Sequence, residues 1–237
     1  NVTYKKAVGR GVIDSNDGTY IYISGKGTGI FTTALKPVKV LSRFGDTQID
    51  TAQKKFGTAS FLFDGTQDNL MVPTGEDFGL GTTNFCLEAF IRPNSVTGIQ
   101  HIFDLRDASA TDTAGKLYLN GTALHYGVGN SSTLTGGTLA IGTWYHVALT
   151  RDGSNNVRLW LNGVKVGADW SNSDTLGGDA YSTRPALGGQ GANWWKGYFQ
   201  DARFYSTCKY TATFKVAIPR DFLGFNFYAT GETQSTT

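Results

Sequence analysis

The side chains of this sequence that are best suited to chemistry are aromatic residues that stand beside amides and charged groups. An indole ring can stack on the C–H surface of a sugar, while neighbouring polar groups bond to the hydroxyls. Asn193, Trp194 and Trp195 are consecutive in a glycine-rich segment. Two adjacent tryptophans in a loop cannot easily point in the same direction. We therefore expect one to enter the core and the other to form a binding platform.

A second candidate carbohydrate site combines His146, Arg158 and Trp160. These residues belong to two strand-like runs in which apolar side chains occupy every second position. Alternate residues of a strand point to opposite faces, so the three side chains share the face that lies away from the apolar one. A second interpretation of Trp160 is that it covers the sheet or contacts a neighbouring subunit.

The same two runs predict how they pair. Val147 and Leu149 belong to the apolar face of the first run, and Leu159 and Leu161 to that of the second. If both faces share one core, Val147 must lie opposite Leu161, because a slip of one residue would turn one set outward. The same register places Leu149 opposite Leu159. The dipeptide Asn162-Gly163 then supplies the positive φ angles of a tight turn.

Composition favours an all-β protein. The 237 residues include 31 glycines, 15 phenylalanines and 11 tyrosines, but few of the residues that favour helices. Strand-like runs recur about every 8 to 15 residues, which is typical of a sandwich or barrel. They predict strands at 38–44, 59–63, 69–72, 84–92, 100–105, 116–119, 123–128, 144–150, 157–161, 164–168, 184–188 and 197–205.

The runs indicate one large domain with an extension at each end. Residues 1–37 contain two short strand-like runs between glycine-rich turns, and we expect them to form a β-hairpin arm or tether. The sandwich is predicted over residues 38–222. The small, polar residues toward the end predict a C-terminal tail over residues 223–237.

Charge, hydropathy and cysteine content argue against several other classes. The net charge is +2 without a basic stripe, so nucleic acid is not an expected partner. No apolar run approaches the roughly 18 residues of a membrane span. Two cysteines are too few for a disulfide scaffold, and we expect Cys86 to be a buried thiol, with a bridge to Cys208 as the alternative. The scattered histidines argue against zinc.

Six segments follow one another in an order that is typical of one family. They are 56–73 (FGTASFLFDGTQDNLMVP), 84–93 (NFCLEAFIRP), 102–105 (IFDL), 116–127 (KLYLNGTALHYG), 142–166 (the strand pair) and 186–206 (ALGGQGANWWKGYFQDARFYS). From about residue 38 to residue 222, the sequence resembles the laminin-G-like branch of the concanavalin A-like lectin/glucanase superfamily. The first segment and the late CKYTATF are most similar to versions found in bacteriophage virion proteins.

The resemblance implies a jelly-roll sandwich of two antiparallel sheets that binds carbohydrates or proteins and, in some branches, hydrolyses glycans. Hydrolysis would require two carboxylates on one strand at alternate positions, roughly 5 Å apart in retaining enzymes. The three glutamates (Glu76, Glu88 and Glu232) stand outside any alternating acidic run. Asp104 and Asp107 would fall on opposite faces of one strand. We therefore expect no catalytic residues and a protein that is not an enzyme.

A calcium ion is the one cofactor that the resemblance suggests. Many relatives hold it at the rim of the sandwich through carboxylate, amide and carbonyl oxygens. The candidate ligands are Asp64, Asp68 and Asp201, or alternatively the closely spaced Asp104, Asp107 and Asp112. The competing interpretation is that Asp64 and Asp68 cap turns through their side chains.

Glu88 and Arg203 stand where the family has recurrent acidic and basic positions. The resemblance implies that they form a structural ion pair inside the sandwich. Replacement of the arginine alone would leave a buried carboxylate without a counter-charge, at a cost of several kcal/mol.

Together these features lead to a functional hypothesis. The resemblance implies a non-enzymatic, lectin-like protein of the virion surface, of the decoration, head-fibre or tail-fibre type. Its N-terminal arm would contact other virion proteins, and its sandwich would contact them or host surface glycans. A homo-oligomer is expected. The alternatives are a secreted or cell-surface glycan-binding adhesion domain of a bacterium, and a glycosidase with an atypical site.

Overall fold

Two antiparallel β-sheets packed face to face make up the described part of the chain. The computed structural model describes residues 19–23, 42–71, 81–106, 115–128, 131–173, 186–189 and 191–217. These residues form strands and turns but no helix, so none of them belongs to a helix that could cross a membrane. The all-β jelly-roll sandwich predicted from the sequence is confirmed.

The large sheet has eight strands in the described residues. Numbered in chain order, they are β1 (Thr19–Ile23), β3 (Gln48–Asp50), β4 (Ser60–Asp64), β6 (Phe85–Pro93), β11 (Tyr145–Arg151), β12 (Asn156–Leu161), β13 (Val164–Ser171) and β15 (Lys196–Tyr205). Their spatial order is β13-β12-β11-β6-β15-β4-β3, and β1 pairs with the second half of β15.

The small sheet has seven strands in the same part of the chain. They are β2 (Ser42–Phe44), β5 (Asn69–Met71), β7 (Ile99–Asp104), β8 (Gly115–Asn120), β9 (Ala123–Val128), β10 (Ser131–Thr138) and β14 (Ala186–Leu187). Their spatial order is β10-β9-β8-β7-β14-β5-β2. β14 lies between β7 and β5, although both are distant from it in sequence, and it joins these two strands into one sheet.

The core lies between the two sheets and is built from alternate residues of each strand. On β6, Phe85, Leu87, Ala89 and Ile91 belong to the core cluster and are 0% exposed. Full burial of a side chain as large as that of Phe85, Leu87 or Ile91 contributes about 1.5–3 kcal/mol through removal of apolar surface from water. The intervening residues of β6 point to the outer face of the large sheet, which is the face turned away from the small sheet.

The pairing predicted for the central hairpin is confirmed. Val147 lies opposite Leu161 and Leu149 opposite Leu159 in the β11–β12 ladder. The following turn has φ angles of 50° at Asn162 and 81° at Gly163, as a tight turn into β13 requires.

Three strands differ from the prediction. β3 and β10 were not expected, because β3 has only three residues and the β10 sequence SSTLTGGT lacks apolar alternation. β1 comes from the segment predicted to form an arm, and its pairing with β15 adds it to the large sheet. The other residues of 1–37 and the predicted tail 223–237 lie outside the described residues.

A stretch of chain after β15, residues 206–217, lies across the outer face of the large sheet and is called the covering segment below. The Phe214 amide donates to the Gly163 carbonyl at 2.9 Å, and the Thr150 hydroxyl donates to the Tyr210 carbonyl at 3.1 Å. The rings of Tyr210 and Phe214 pack on Trp160 with centroid distances of 6.3 and 5.6 Å. The outer face is therefore a second packed layer.

The close approach at Gly163 gives a stability prediction. A Cβ at this position would collide with the Phe214 carbonyl oxygen, whereas a Cβ at Gly121, which also has a positive φ, would meet open space. We expect Gly121→Ala to lower the free energy of unfolding by about 1–2 kcal/mol through backbone strain. Gly163→Ala should cost at least ~2 kcal/mol more, as measured by denaturant unfolding. Equal losses would contradict the docking of the covering segment.

Candidate functional site

A groove of about 350 Å³ opens where the β4–β5 turn, the β6–β7 loop and the approach to β15 meet. Its volume falls within the range of small-molecule sites, which is about 300–1,000 Å³. The lining residues are Asp64, Gly65, Thr66, Ser95, Thr97, Ile99, Gln100, Asn193, Trp194 and Lys196.

The two adjacent tryptophans have different surroundings. Trp195 is 0% exposed and packs on Phe199 with a ring distance of 5.4 Å, whereas Trp194 is half-buried and lines the groove. Asn193 adopts a left-handed φ of 58°, which asparagine tolerates better than most residues. Its carbonyl accepts the His101 amide at 2.8 Å. This fixed loop turns Trp195 inward and leaves Trp194 at the surface.

Gln100 ties the floor of the groove together. Its side chain is buried, and its amide nitrogen donates to the carbonyls of Ser95 at 3.0 Å and Thr97 at 3.3 Å. Its amide oxygen accepts the Lys196 backbone N–H at 3.0 Å. One side chain therefore holds the β6–β7 loop against the start of β15. Sequence reasoning missed Gln100 and Lys196, because a single glutamine or lysine in a strand carries no distinguishing pattern.

The polar groups of the groove are balanced in charge. Asp64 and Lys196 are directly paired positions of β4 and β15. The Asp64 carboxylate accepts the Thr66 amide at 2.6 Å, and Ile99 adds an apolar edge with 42% of its surface exposed. The lining is mostly polar, and its hydroxyl, amide and charged groups beside Trp194 suit an uncharged ligand that carries several hydroxyls.

The second set of predicted carbohydrate residues is not accessible to a ligand in this structure. Trp160 is 0% exposed under the covering segment, and its ring nitrogen donates to the Thr150 hydroxyl at 2.8 Å. His146 is also buried. Arg158 forms ion pairs with Asp152 at 2.6 Å and Asp169 at 2.8 Å. The outer face of the large sheet was expected to be open here, but it packs against the covering segment.

Among the calcium candidates, Asp68 joins two turns. Its carboxylate oxygens accept the backbone N–H groups of Asp46 at 2.5 Å and Asp64 at 2.6 Å. Burial raises the pKa of Asp68, although these two hydrogen bonds act in the opposite direction. Asp68 thus links the β2–β3 turn to β4, and Asp64 caps its own turn.

The other candidate ligands that the structure describes bind cationic side chains. Asp104 is buried, with Arg106 at 2.6 Å and His101 at 3.2 Å. Burial alone would raise the pKa of Asp104, but these partners outweigh it and lower the pKa to about 2. Asp201 pairs with Arg203 at 2.8 Å. No three His, Cys, Asp or Glu side chains converge on a metal position within the described ranges. Asp107 and Asp112 lie outside those ranges.

Glu88 lies on the outer face of the large sheet, under the covering segment, and not between the sheets as expected. Its two oxygens accept the hydroxyls of Tyr210 at 2.6 Å and Tyr205 at 3.0 Å. The ring nitrogen Nε2 of His146 is 3.3 Å away, and the nearest guanidinium nitrogen of Arg203 is 3.9 Å away. The carboxylate is therefore satisfied mainly by two tyrosines and a histidine, and Arg203 contributes from a longer distance.

These partners keep Glu88 ionised. Burial alone would raise the pKa of Glu88, but the hydrogen bond and charge of His146 and the charge of Arg203 outweigh it. With the Tyr210 hydroxyl they lower the pKa from 4.5 to about 2. A carboxylate in this state is an acceptor for the covering segment and cannot act as a general acid near neutral pH.

Both cysteines are free thiols. Cys86 is fully buried on the outer face of β6, and Cys208 is half-buried in the covering segment. Burial raises the pKa of each thiol, most strongly that of Cys86. Because the thiolate is the reactive form, neither cysteine has the properties of a nucleophile or a metal ligand.

An antiparallel sandwich with a ligand-sized groove at one end of its sheets defines the class of lectin-like β-sandwich domains. The chain belongs to the concanavalin A-like lectin/glucanases superfamily, because a laminin-G sequence model of that superfamily matches residues 64–212, well over half of the chain. The sequence matches no curated protein.

Solved structures with the same fold include binding domains of botulinum neurotoxins. The serotype C1 binding domain is similar with a TM-score of 0.62 and 14% identity, over 81% of this chain and 49% of that one. The DC binding domain in complex with rat synaptotagmin II gives a TM-score of 0.62 and 15% identity, over 81% and 49%. The chain spans about half the length of these structures, and at such identity the likeness establishes the fold alone.

The state of Glu88 predicts acid sensitivity. Its folded pKa of about 2 lies below the ordinary 4.5, so its ionised form stabilises the fold above pH ~4.5 and is lost as the pH falls toward 2. The shift corresponds to ~3 kcal/mol. We expect denaturant unfolding to show this loss for the wild type between pH 5 and 2, and a smaller loss for Glu88→Gln, in which the contribution of Asp104 remains. Parallel profiles would contradict the assignment.

Proposed function

We propose that this chain is a carbohydrate-binding module whose ligand lies in the groove beside Trp194. The observation that carries the proposal is the orientation of the tryptophan pair, in which Trp195 completes the core and Trp194 stays at the surface. A half-exposed indole costs free energy in contact with water, and stacking on a sugar ring would remove that contact. Asn193, Thr66 and Lys196 line the same groove and offer donors and acceptors for hydroxyl groups.

The module binds its ligand without hydrolysing it. Glycoside hydrolysis needs two carboxylates on opposite sides of the scissile bond. Among the described lining residues, Asp64 is the one that carries a carboxylate, and it accepts the amide of its own turn. Glu88 and Asp104 are buried and lie outside the lining.

The proposed location is the surface of a virus particle, in a decoration, head-fibre or tail-fibre protein. The support is the similarity of residues 56–70 and of the CKYTATF segment to bacteriophage virion sequences. Contacts with other virion proteins through the N-terminal region and assembly as a homo-oligomer belong to the same proposal. The alternative is a secreted or cell-surface adhesion domain. Detection of the chain in purified virus particles by mass spectrometry would support the virion location, and its absence there would favour the alternative.

A glycan array tests the groove. We expect the purified full chain to bind a subset of neutral glycans and Trp194→Ala to lose at least tenfold in affinity, because the stacking platform is removed. Phe44→Ala is the matched control, since Phe44 is an exposed aromatic residue (47%) outside the groove lining. It should bind like the wild type.

Repetition of the array in millimolar calcium and in a chelator separates a metal-dependent site from an aromatic one. We expect binding to persist in the chelator, because Asp64 is already engaged by its own turn. Loss of binding in the chelator, unchanged binding by Trp194→Ala, or failure of the wild type to bind any glycan would each contradict the groove as proposed.

A further inference from the structure

Arg92 is half-buried at one end of the outer face of the large sheet. It is the last outward-pointing residue of β6 and is directly paired with Tyr198 on β15. Trp144 comes immediately before β11, whose first residue Tyr145 is paired with Ile91. Arg92, Tyr198 and Trp144 therefore form one row across three strands, at the end of the sheet that the covering segment does not reach.

The structure holds the Arg92 guanidinium in a fixed position. Its Nε donates to the Gly142 carbonyl at 3.0 Å, and its Nη1 donates to the Asn94 side-chain oxygen at 2.9 Å. The guanidinium carbon stands 5.5 Å from the centroid of the Tyr198 ring, a cation–π distance. Within the described residues, Nη2 has no hydrogen-bond partner, so one nitrogen of an oriented cation remains available.

Arg92 also differs from three other arginines of the sandwich. Arg106, Arg158 and Arg203 each form an ion pair with an aspartate at 2.6–2.8 Å. Arg92 has no carboxylate partner in the part of the chain that the structure describes. A guanidinium that is held in place, without a carboxylate among the described residues, can donate charge-assisted hydrogen bonds from its free Nη2 to the carboxylate of a ligand.

The aromatic neighbours of Arg92 add a surface for a ring. Trp144 is half-exposed, and its ring lies 6.4 Å from that of Tyr198, which is itself 8% exposed. An indole beside an oriented guanidinium can contact the C–H face of a saccharide while the arginine binds an acidic substituent. None of these three residues lines the groove at Trp194.

We infer that Arg92, Trp144 and Tyr198 form a second binding site, which takes the carboxylate of an acidic saccharide. Arg92 supplies the charge-assisted hydrogen bonds to the carboxylate, and Trp144 contacts the sugar ring. Its three residues are separate from those that line the neutral-glycan groove, so the two sites can be tested apart.

The test compares trigalacturonic acid with its fully methyl-esterified form, which has the same rings without the charges. Titration calorimetry on the full chain should give at least tenfold tighter binding of the acid. Arg92→Met should reduce the affinity for the acid to that for the ester. Trp194→Ala, which alters the groove, should leave the affinity for the acid unchanged.

If Arg92→Met does not fold, two further variants test the same site. Arg92→Lys keeps the charge but loses the two hydrogen bonds that orient the guanidinium, and we expect a three- to tenfold loss for the acid. Trp144→Ala leaves the guanidinium in place and should weaken binding of the acid at least threefold. Melting temperatures close to that of the wild type confirm that each variant is folded.

Equal affinities for acid and ester, or an acid preference that survives Arg92→Met, would overturn the inference. Equally tight binding of a tri-glutamate peptide would also overturn it, because the site would then recognise carboxylates on a peptide. A wild type that binds neutral glycans through Trp194 but shows no acid preference would disprove this site alone. A wild type that prefers the acid but binds no neutral glycan would disprove the groove alone.

Discussion

A buried carboxylate on the outer face of the large sheet determines how the rest of the sandwich is covered. An ionised group that leaves water costs several kcal/mol unless charges and hydrogen bonds replace its hydration. Glu88 obtains these from Tyr205 at the end of β15, Tyr210 in the covering segment and His146 on β11. Because Tyr210 lies beyond the last strand, the chain must fold back across the sheet to supply its hydroxyl.

The centre of this face is closed to a ligand by chain that packs across it. Thr150 and Trp160 are closed off by the covering segment. Toward β4, the Gln200 side chain donates to the Phe56 carbonyl at 2.6 Å and accepts the Lys55 amide at 2.9 Å, which fixes the β3–β4 connection over the same face. The residues of the two proposed sites lie beside loops at the end of the sheet. Recognition in this domain is therefore a property of connections that a rigid sandwich positions.

The sequence predicted features that depend on nearby residues, such as strand register, and missed those that depend on distant residues, such as the burial of the outer face. Strict alternation in β11 and β12 was sufficient to predict their register, because one slip would expose an apolar face. The opposite face was misinterpreted. The same alternation places His146, Thr150 and Trp160 on that face, and such a pattern is also typical of a solvated face. Its burial depends on residues 206–217, which show no periodicity that links them to this hairpin.

The candidate site shows the same division. Residue type alone identified Trp194 and Trp195, but their opposite orientations come from a left-handed Asn193 and backbone hydrogen bonds to two other loops. The buried Gln100 side chain holds these loops together through main-chain atoms, so its contacts do not depend on which side chains the loops carry. The exposed residues at the groove can therefore change without disturbing its frame. The frame of the groove depends on hydrogen bonds to main-chain atoms, and Glu88 binds the covering segment elsewhere on the sheet. Ligand specificity is therefore separated from folding.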